Sequence, residues 1–201
     1  MAFTYFFRDR ATLEAIREYV IPELRKYRYI NIWDAGCAMG PEPYSLAIIF
    51  KESLGYYGFK RLRIYATDLD EENHRFGEII AEGVYPEESV RRIPEPIRSK
   101  YFSPNGKPGY IRVADEIKRC VFFERHDLRS LKPIAENFGL VVCKNVLLHM
   151  QPSERPGVIR MFHRSLAPGG FLATEQTQKM PAETSHLFEQ VTPNIQLFWR
   201  V

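Results

Sequence analysis

The chain has 201 residues, of which 45% are hydrophobic and 26% are charged, the balance of a globular protein with one sizeable core. Its net charge of +3 is too small to indicate a general nucleic-acid or membrane-surface binder. No apolar run approaches the ~20 residues of a membrane-spanning helix. Charged residues begin at Arg8, too early for a signal peptide. We therefore predict a cytoplasmic protein with no nucleic-acid partner and no membrane insertion.

The three cysteines, Cys37, Cys120 and Cys143, are odd in number and widely spaced. This spacing suits neither a disulfide framework nor a paired-cysteine zinc site. We predict three reduced thiols and no metal.

In chain order, the hydrophobic pattern first predicts an amphipathic helix over residues 9–26, where apolar residues recur at steps of three and four. Residues 29–35 favour a strand that ends at the glycine turn 36–40, with a helix opening directly after it. A second strand over 62–67 leads into a helix over 71–81. Alternating strands and helices indicate a parallel α/β sheet.

The later part of the chain continues this alternation. Residues 139–143 form a short apolar run typical of a buried central strand, and 152–166 are helical before a Pro-Gly-Gly stop. A further strand is predicted over 171–174, and the tail 186–201 favours one or two closing strands.

Residues 83–119 differ from the rest and are predicted to form a small inserted subdomain. They contain five of the fourteen prolines, two hairpin-like candidate strands and a turn at 104–109. They also hold eight Lys and Arg against five Asp and Glu, which equals the whole excess charge of the chain. This makes them a candidate docking surface for an acidic partner, although a solvated face enriched by chance explains the same count.

The glycine turn indicates a ligand site. A turn between a strand and its helix lets a ligand approach the backbone and the free N–H groups of the helix, although a G-x-x-x-G turn can also merely pack a helix on a sheet. Asp68 ends the next strand, where a carboxylate can accept hydrogen bonds from a ribose. The G-x-G-x-x-G pattern of dinucleotide sites is absent from the turn, which favours S-adenosylmethionine, whose ammonium and carboxylate could be met by Glu42 and Arg8.

Five separated motifs make the chain similar to the CheR family of chemotaxis-receptor methyltransferases along essentially its whole length. Residues 4–9 (T-Y-F-F-R-D) resemble T-x-F-F-R followed by an acidic residue, and 33–45 (W-D-A-G-C-A-M-G-P-E-P-Y-S) resemble W-S-A-G-C-S-T-G-E-E-P-Y-S. Residues 66–70 (A-T-D-L-D) resemble A-T-D-I-D, 100–102 match K-Y-F, and 143–150 (C-K-N-V-L-L-H-M) resemble C-R-N-V-L-I-Y-F.

The resemblance implies an α/β fold: a Rossmann-like S-adenosylmethionine-dependent methyltransferase domain (1–82 and 120–201) with a small antiparallel β insertion (83–119). Family members esterify glutamate side chains of receptors and release S-adenosylhomocysteine. The implied partner is a glutamate-containing protein such as a chemoreceptor. The family's cofactor contacts fall on these residues: Thr4, Arg8, Ala35, Gly36, Glu42, Asp68, Asp127, Leu128 and Lys144.

Four of these polar residues also have a structural interpretation. Thr4 fits a helix cap, Asp127 a turn, and Lys144 a solvated strand end, while Arg8 and Asp9 fit a surface pair. As a functional hypothesis, the planar fork of Arg8 holds the acceptor carboxylate. By the resemblance, His149 stands where the family has a tyrosine close to the transferred methyl group, although a lone histidine at a strand end can also be structural. If the acceptor were a hydroxyl or an amine, His149 could act as a base.

The chain departs from the family pattern at several positions. Pro41 and Met39 remove a carboxylate and a hydroxyl from the turn, and Lys144 replaces an arginine. Residues 174–177 (T-E-Q-T) stand where the family has G-H-S-E. The given chain also begins almost at the first motif, without the family's leading helical domain, which suggests either a trimmed form or a different partner. These departures keep open a non-catalytic module that binds S-adenosylmethionine or S-adenosylhomocysteine, or a methyltransferase with another acceptor.

Overall fold

A computed structural model describes residues 4–70, 74–177 and 179–201 of the protein. The described residues form two β-sheets. The strands are β1 (Ile30–Ala35), β2 (Leu62–Asp68), β3 (Val84–Pro86), β4 (Phe102–Pro104), β5 (Tyr110–Val113), β6 (Val121–Arg125), β7 (Phe138–Cys143), β8 (Leu166–Thr174), β9 (Phe188–Gln190) and β10 (Leu197–Arg200). Among the described residues, seven of them form a sheet in the order β6-β2-β1-β7-β8-β10-β9, and three form a sheet in the order β3-β5-β4.

The large sheet is parallel from β6 to β8, and β10 runs antiparallel to both β8 and β9. The predicted α/β class with a parallel sheet is therefore confirmed. Because β1, β2, β6 and β7 are parallel, their carboxyl ends meet at one edge of the sheet. Strand β6 was not predicted from the sequence, since it is a half-exposed edge strand with no clean alternation or buried apolar run.

The helices are α1 (Arg10–Ala15), α2 (Ile21–Leu24), α3 (Pro41–Phe59), α4 (Phe76–Glu82), α5 (Glu95–Tyr101), α6 (Asp115–Lys118) and α7 (Arg155–Ser165), with a π-helical turn at Ile16–Val20 between α1 and α2. The predicted helix 9–26 thus comprises three consecutive pieces, and the predicted start of the helix 71–81 lies outside the described residues. Strand β8 begins before the predicted residue 171, because Leu166 already pairs with Phe138, and the Pro-Gly-Gly segment falls in a register shift between Leu166 and Phe171. Within the described chain we find no helix that is both long and apolar enough to cross a membrane.

Hydrophobic side chains cover both faces of the large sheet. Alternate residues of β1 point to opposite faces, so Ile32 belongs to one core cluster and Trp33 to the other. The indole of Trp33 is fully buried and donates a hydrogen bond of 2.8 Å to Thr67 Oγ1 on β2. All three cysteines are buried free thiols, as predicted.

The small sheet lies within residues 83–119 and has three strands rather than the two hairpin-like strands predicted. It packs on the body through the amino-terminal segment. The ring of Phe6 is fully buried and contacts Tyr44 of α3, Tyr85 of β3 and Phe102 of β4. The hydroxyl of Tyr85 donates to the carbonyl of Met39 at 2.6 Å, so the small sheet directly contacts the glycine turn.

Candidate functional site

A cavity of about 770 Å³ opens at the carboxyl ends of the parallel strands. Nine of the ten site residues predicted from the sequence line it, namely Thr4, Arg8, Gly36, Glu42, Asp68, Asp127, Leu128, Lys144 and His149. The tenth, Ala35, is fully buried at the end of β1 and does not line the cavity. Residues far apart in the sequence therefore surround one volume of the size expected for a small-molecule ligand.

The glycine turn is shaped so that only glycine fits at both ends. Gly36 has φ +100°, and a Cβ there would lie 2.1 Å from Cγ2 of Val146. Gly40 has φ +102°, and its Cβ would lie 2.7 Å from Ile80 and 2.8 Å from the Tyr85 hydroxyl. Helix α3 begins directly afterwards at Pro41, which is tolerated in the first helical turn. The replacement of the family's glutamate by Pro41 therefore leaves the helix start intact.

Asp68 is fixed beside this turn by the backbone. Its Oδ2 accepts the N–H of Ala38 at 2.9 Å, and its Oδ1 accepts the N–H of Asp70 at 3.2 Å. A carboxylate can accept about four hydrogen bonds, so capacity for a ligand remains on both oxygens.

Asp127 lines the cavity at the start of a 3₁₀ turn, and its Oδ1 accepts the backbone N–H of Arg129 at 2.9 Å. Burial raises the pKa of this carboxyl, but the backbone amide and guanidinium of Arg129 outweigh it, so the pKa is lowered below its usual range. Asp127 is thus held as a carboxylate.

Both signs of charge meet at the base of the cavity. The Lys144 side chain is only 2% exposed, and its Nζ lies 3.0 Å from Glu42 Oε1 and 3.4 Å from Asp9 Oδ2. Burial lowers the pKa of Lys144, but the two carboxylates outweigh it and the pKa is raised. The solvated strand-end interpretation of Lys144 is therefore wrong. Asp9, interpreted from the sequence only as a possible surface partner of Arg8, belongs to this cluster.

Asp34 is a feature that the sequence reasoning missed. It is fully buried in β1, and neither of its carboxylate oxygens has a hydrogen-bond partner among the described residues. Burial raises the pKa of Asp34 well above its usual range, and the charges of Glu42 and Asp68 raise it further against the opposing effect of Lys144. The available signal was the W-D-A-G motif, where the family has W-S-A-G.

The turn that carries His149 is held from two sides. It is a 3₁₀ helix (Leu147–His149) after β7. Glu175 Oε1 accepts the N–H of Leu148 at 3.2 Å, and Arg155 donates from Nε and Nη2 to the carbonyl of Met150 at 3.2 and 3.1 Å. Burial raises the pKa of Glu175, which sits 3% exposed under the turn. These two residues were also missed. For Glu175, nothing in a local pattern predicts a bond across 27 positions.

On the opposite wall, Arg8 reaches the same strand end. Its Nη2 donates to Oδ1 of Asn145 at 3.3 Å, and Asn145 adopts a left-handed backbone with φ +59°. The backbone N–H of the neighbouring Phe7 donates to Ser45 Oγ on α3 at 2.9 Å. The amino-terminal segment is therefore anchored as a wall of the cavity.

These features fit S-adenosylmethionine. Gly36, Cys37 and Ala38 of the glycine turn line the cavity, and the oxygens of Asp34, two residues before Gly36, lack partners among the described residues. Arg8 and Lys144 face Glu42 and Asp68 across one cavity, which matches a ligand with a carboxylate, an ammonium and ribose hydroxyls. No phosphate-binding pattern is needed for such a ligand.

The fold and the site together define a Rossmann-like S-adenosylmethionine-dependent methyltransferase domain. A solved structure of this fold is the rRNA methyltransferase aviRa from Streptomyces viridochromogenes, which is 12% identical with a TM-score of 0.57 over 98% of this chain and 86% of its own. At this identity, the likeness concerns the fold alone. The family described as "CheR methyltransferase, SAM binding domain" matches residues 2–196, and the chain belongs to this family. The predicted family and cofactor are thus confirmed.

Curated relatives carry chemotaxis names. A probable chemotaxis protein methyltransferase of Rhizobium etli is 27% identical over 94% of this chain and 72% of its own length. Chemotaxis protein methyltransferase 2 of Vibrio cholerae is 28% identical over 88% of this chain and 62% of its own. An uncharacterised 104.1 kDa protein of Rhodobacter capsulatus is 31% identical over 84% of this chain. The chain spans only 18% of that last relative.

Proposed function

We propose that this domain transfers a methyl group from S-adenosylmethionine to glutamate carboxylates of a chemotaxis or signalling receptor. The observation that carries the proposal is the shared cavity: the glycine turn, Asp68, Asp127, Lys144 and the Arg8 segment all line it. The family match and the chemotaxis names of the relatives support the same reaction class.

Methyl transfer to a carboxylate requires mainly that the protein align the cofactor and the acceptor. When bound, the cofactor supplies an electrophilic methyl group on a sulfonium. A glutamate carboxylate is already ionised at neutral pH, so the acceptor needs no general base. The chain's own task is therefore to position the two reactants and to place charge, which are the largest contributions available to such a transfer.

We assign the acceptor side of the cavity to Arg8 and His149. The guanidinium of Arg8, steadied by Asn145, suits a bidentate contact with the two oxygens of a carboxylate. His149 lines the same cavity on a turn fixed by Glu175 and Arg155, and its ring nitrogens offer a hydrogen bond to the acceptor. We assign the cofactor side to Glu42, Asp68 and their neighbours in the turn.

The test uses tritiated S-adenosylmethionine and a purified receptor fragment with candidate glutamates. A glutamate methyl ester releases methanol in base, so the proposal predicts base-volatile counts that disappear in the matched variant Asp68→Ala. Base-stable counts on a protein acceptor would overturn the ester and point to an N- or O-methylated product.

A second candidate is a non-catalytic module that binds S-adenosylmethionine or S-adenosylhomocysteine. The specific observation in its favour is His149, an imidazole where the family places a tyrosine. Calorimetry separates the two: tight cofactor binding without transfer to any acceptor supports the sensor, and transfer excludes it. Absence of binding would defeat both candidates.

The partner surface and the cellular location are also part of this proposal. The excess charge of residues 83–119 supports docking of an acidic receptor segment there, in the cytoplasm. Four of the eight basic residues, however, already pair with carboxylates, namely Arg98, Lys100, Arg112 and Lys118. The charge available to a partner is therefore smaller than the sequence count.

A further inference from the structure

Two short segments concentrate tyrosine and basic side chains at the edge of the sheet opposite the cavity. Residues 25–29 (R-K-Y-R-Y) precede β1, and residues 56–63 (Y-Y-G-F-K-R-L-R) end α3 and enter β2. Together they contain six basic residues and no acidic one. We call these ten side chains the amino-edge patch: Arg25, Lys26, Tyr27, Arg28, Tyr29, Tyr56, Tyr57, Lys60, Arg61 and Arg63.

The two segments form one continuous surface. Arg61 donates from Nη1 to the carbonyl of Tyr27 at 2.7 Å and from Nη2 to the carbonyl of Arg25 at 3.2 Å. The N–H of Ile30 donates in return to the carbonyl of Arg61 at 3.0 Å. These bonds join the entries of β1 and β2, so the patch is a fixed feature of the fold.

The aromatic part of the patch is open to solvent. Within the described chain, four of the nine exposed large hydrophobic side chains lie here, from Tyr27 at 44% to Tyr57 at 82% exposure. Gly55, whose φ is +66°, breaks the helical path just before Tyr56. Exposed tyrosine beside arginine is the composition of protein-interface hot spots.

The positive charge of the patch is largely unneutralised. Among the residues that the structure describes, Lys26 pairs with Glu23 at 2.7 Å, whereas no carboxylate lies within ion-pair distance of Arg25, Arg28, Lys60, Arg61 or Arg63. Residues 83–119, by contrast, pair half of their basic side chains with carboxylates. The net charge summed over all residues outside 83–119 does not show this local excess of positive charge, because acidic residues elsewhere balance it.

The geometry of the amino-edge patch favours carboxylates, rather than nucleic-acid bases, as the groups that bind it. Bases bind such surfaces by stacking on open aromatic faces. Here Lys60 Nζ lies 4.3 Å from the ring centre of Tyr56, and the Arg28 guanidinium lies 5.4 Å from that of Tyr29. Tyr57 meets the Tyr56 ring edge-on at 5.2 Å. The chain's own cations therefore lie over the rings of Tyr56 and Tyr29, which suits acidic side chains better than stacked bases.

We propose that the amino-edge patch docks an acidic segment of a partner protein. Because the patch lies at the amino ends of parallel strands and the cavity at their carboxyl ends, a bound partner leaves the cavity accessible. The patch is therefore a tethering surface, independent of the reaction assigned to the cavity.

The test measures binding of fluorescein-labelled poly-L-glutamate by anisotropy, with hydrogen exchange to locate it. The triple variant Arg28→Ala/Lys60→Ala/Arg63→Ala is expected to bind about tenfold more weakly, as three modest ion pairs imply. Protection of amides is expected at 25–29 and 56–63. The matched control Arg91→Ala/Lys107→Ala/Arg119→Ala removes the same charge from residues 83–119, the surface proposed above for a receptor segment, and is expected to weaken binding by only about twofold.

Each other result overturns the proposal. Equal losses in the two triple variants would mean attraction to net charge alone. Protection at 83–119 without protection at 25–29 and 56–63 would place the contact elsewhere. Tighter binding of poly-uridylate than of poly-L-glutamate, lost in the first triple variant, would assign the patch to single-stranded nucleic acid. No binding of poly-L-glutamate would also refute it. Unchanged calorimetric binding of S-adenosylmethionine verifies that both variants are folded.

Discussion

At the scale of single residues, Asp34 shows how burial decides which charge state a site contains. Its carboxyl lacks hydrogen-bond partners within the described chain, and its pKa is raised by burial, Glu42 and Asp68. Burial therefore favours the neutral acid in β1, while Lys144 is held charged between Glu42 and Asp9. An ionised carboxylate at this depth would cost far more than the neutral form.

This assignment predicts the pH dependence of stability. A carboxyl whose pKa is raised by folding contributes stability that is present below the unfolded pKa of about 4 and is lost as pH rises toward the folded pKa, by up to about 1.4 kcal/mol per pH unit. Asp34→Asn removes this loss. Thermal unfolding between pH 5 and 8 should show a variant whose advantage over the unaltered chain grows with pH.

The control is Asp115→Asn, on the surface. The pKa of Asp115 is lowered by its hydrogen bond to Lys118 and by Arg112, so its contribution is complete above about pH 4. Its effect should stay constant from pH 5 to 8. A constant effect of Asp34→Asn as well would contradict a neutral Asp34.

Asp68 carries the second residue-scale prediction. Its oxygens already accept two backbone N–H groups, so the carboxylate is oriented before any ligand arrives. Asp68→Ala should weaken S-adenosylmethionine binding by about 1–3 kcal/mol if the carboxylate accepts hydrogen bonds from the ribose. Isothermal calorimetry measures this directly. Asp115→Asn, at a residue that does not line the cavity, serves as comparison and should bind like the unaltered chain. Unchanged affinity in Asp68→Ala would remove that residue from the ligand site.

At the scale of elements, the turns at the strand ends could be predicted from the sequence. The long-range hydrogen bonds that hold these turns in place could not. The glycine turn, Asp68 and the β7 end are encoded in contiguous motifs, where glycine, a strand and a helix start follow one another. Glu175, by contrast, acts on a turn 27 residues away, and no local pattern reports such a bond. Strand β6 escaped prediction for a related reason, since pairing with β2 rather than its own sequence makes it a strand.

The His149 turn gives the element-scale prediction. Glu175→Ala leaves the part-buried N–H of Leu148 without its acceptor, which should cost about 1 kcal/mol of unfolding free energy. The substitution should also raise the hydrogen-exchange rates of the backbone amides of Leu147–His149. Glu175→Gln keeps an acceptor oxygen and should restore most of both.

The matched control is Ser165→Ala, which removes a buried hydrogen bond of 2.8 Å to the Phe162 carbonyl at the end of α7. It should lower stability without changing exchange in the His149 turn. Equal exchange changes in both variants would show that Glu175 has no specific hold on the turn.

At the scale of the whole molecule, the amino-terminal segment joins three parts that the sequence presents as separate. Phe6 packs against α3 and against two strands of the small sheet, while Arg8, two residues later, lines the cavity. The sequence placed Arg8 in the site through its charge, which complements the ligand carboxylate, and through the resemblance. Its anchoring by Phe6 depends on long-range packing, which periodicity cannot report.

Phe6→Ala tests whether Phe6 holds the small sheet, the body and the cavity wall together. Removing a fully buried phenylalanine should cost about 3–5 kcal/mol of unfolding free energy, because the ring fills the junction between body and small sheet. It should also weaken S-adenosylmethionine binding, since Thr4 and Arg8 lose their fixed place at the cavity wall. Denaturant unfolding and calorimetry measure the two effects.

The control is Phe122→Ala, on the exposed side of β6. It should change neither the free energy of unfolding nor the affinity for S-adenosylmethionine. A Phe6→Ala protein that loses stability but keeps full cofactor affinity would show that the segment serves packing alone.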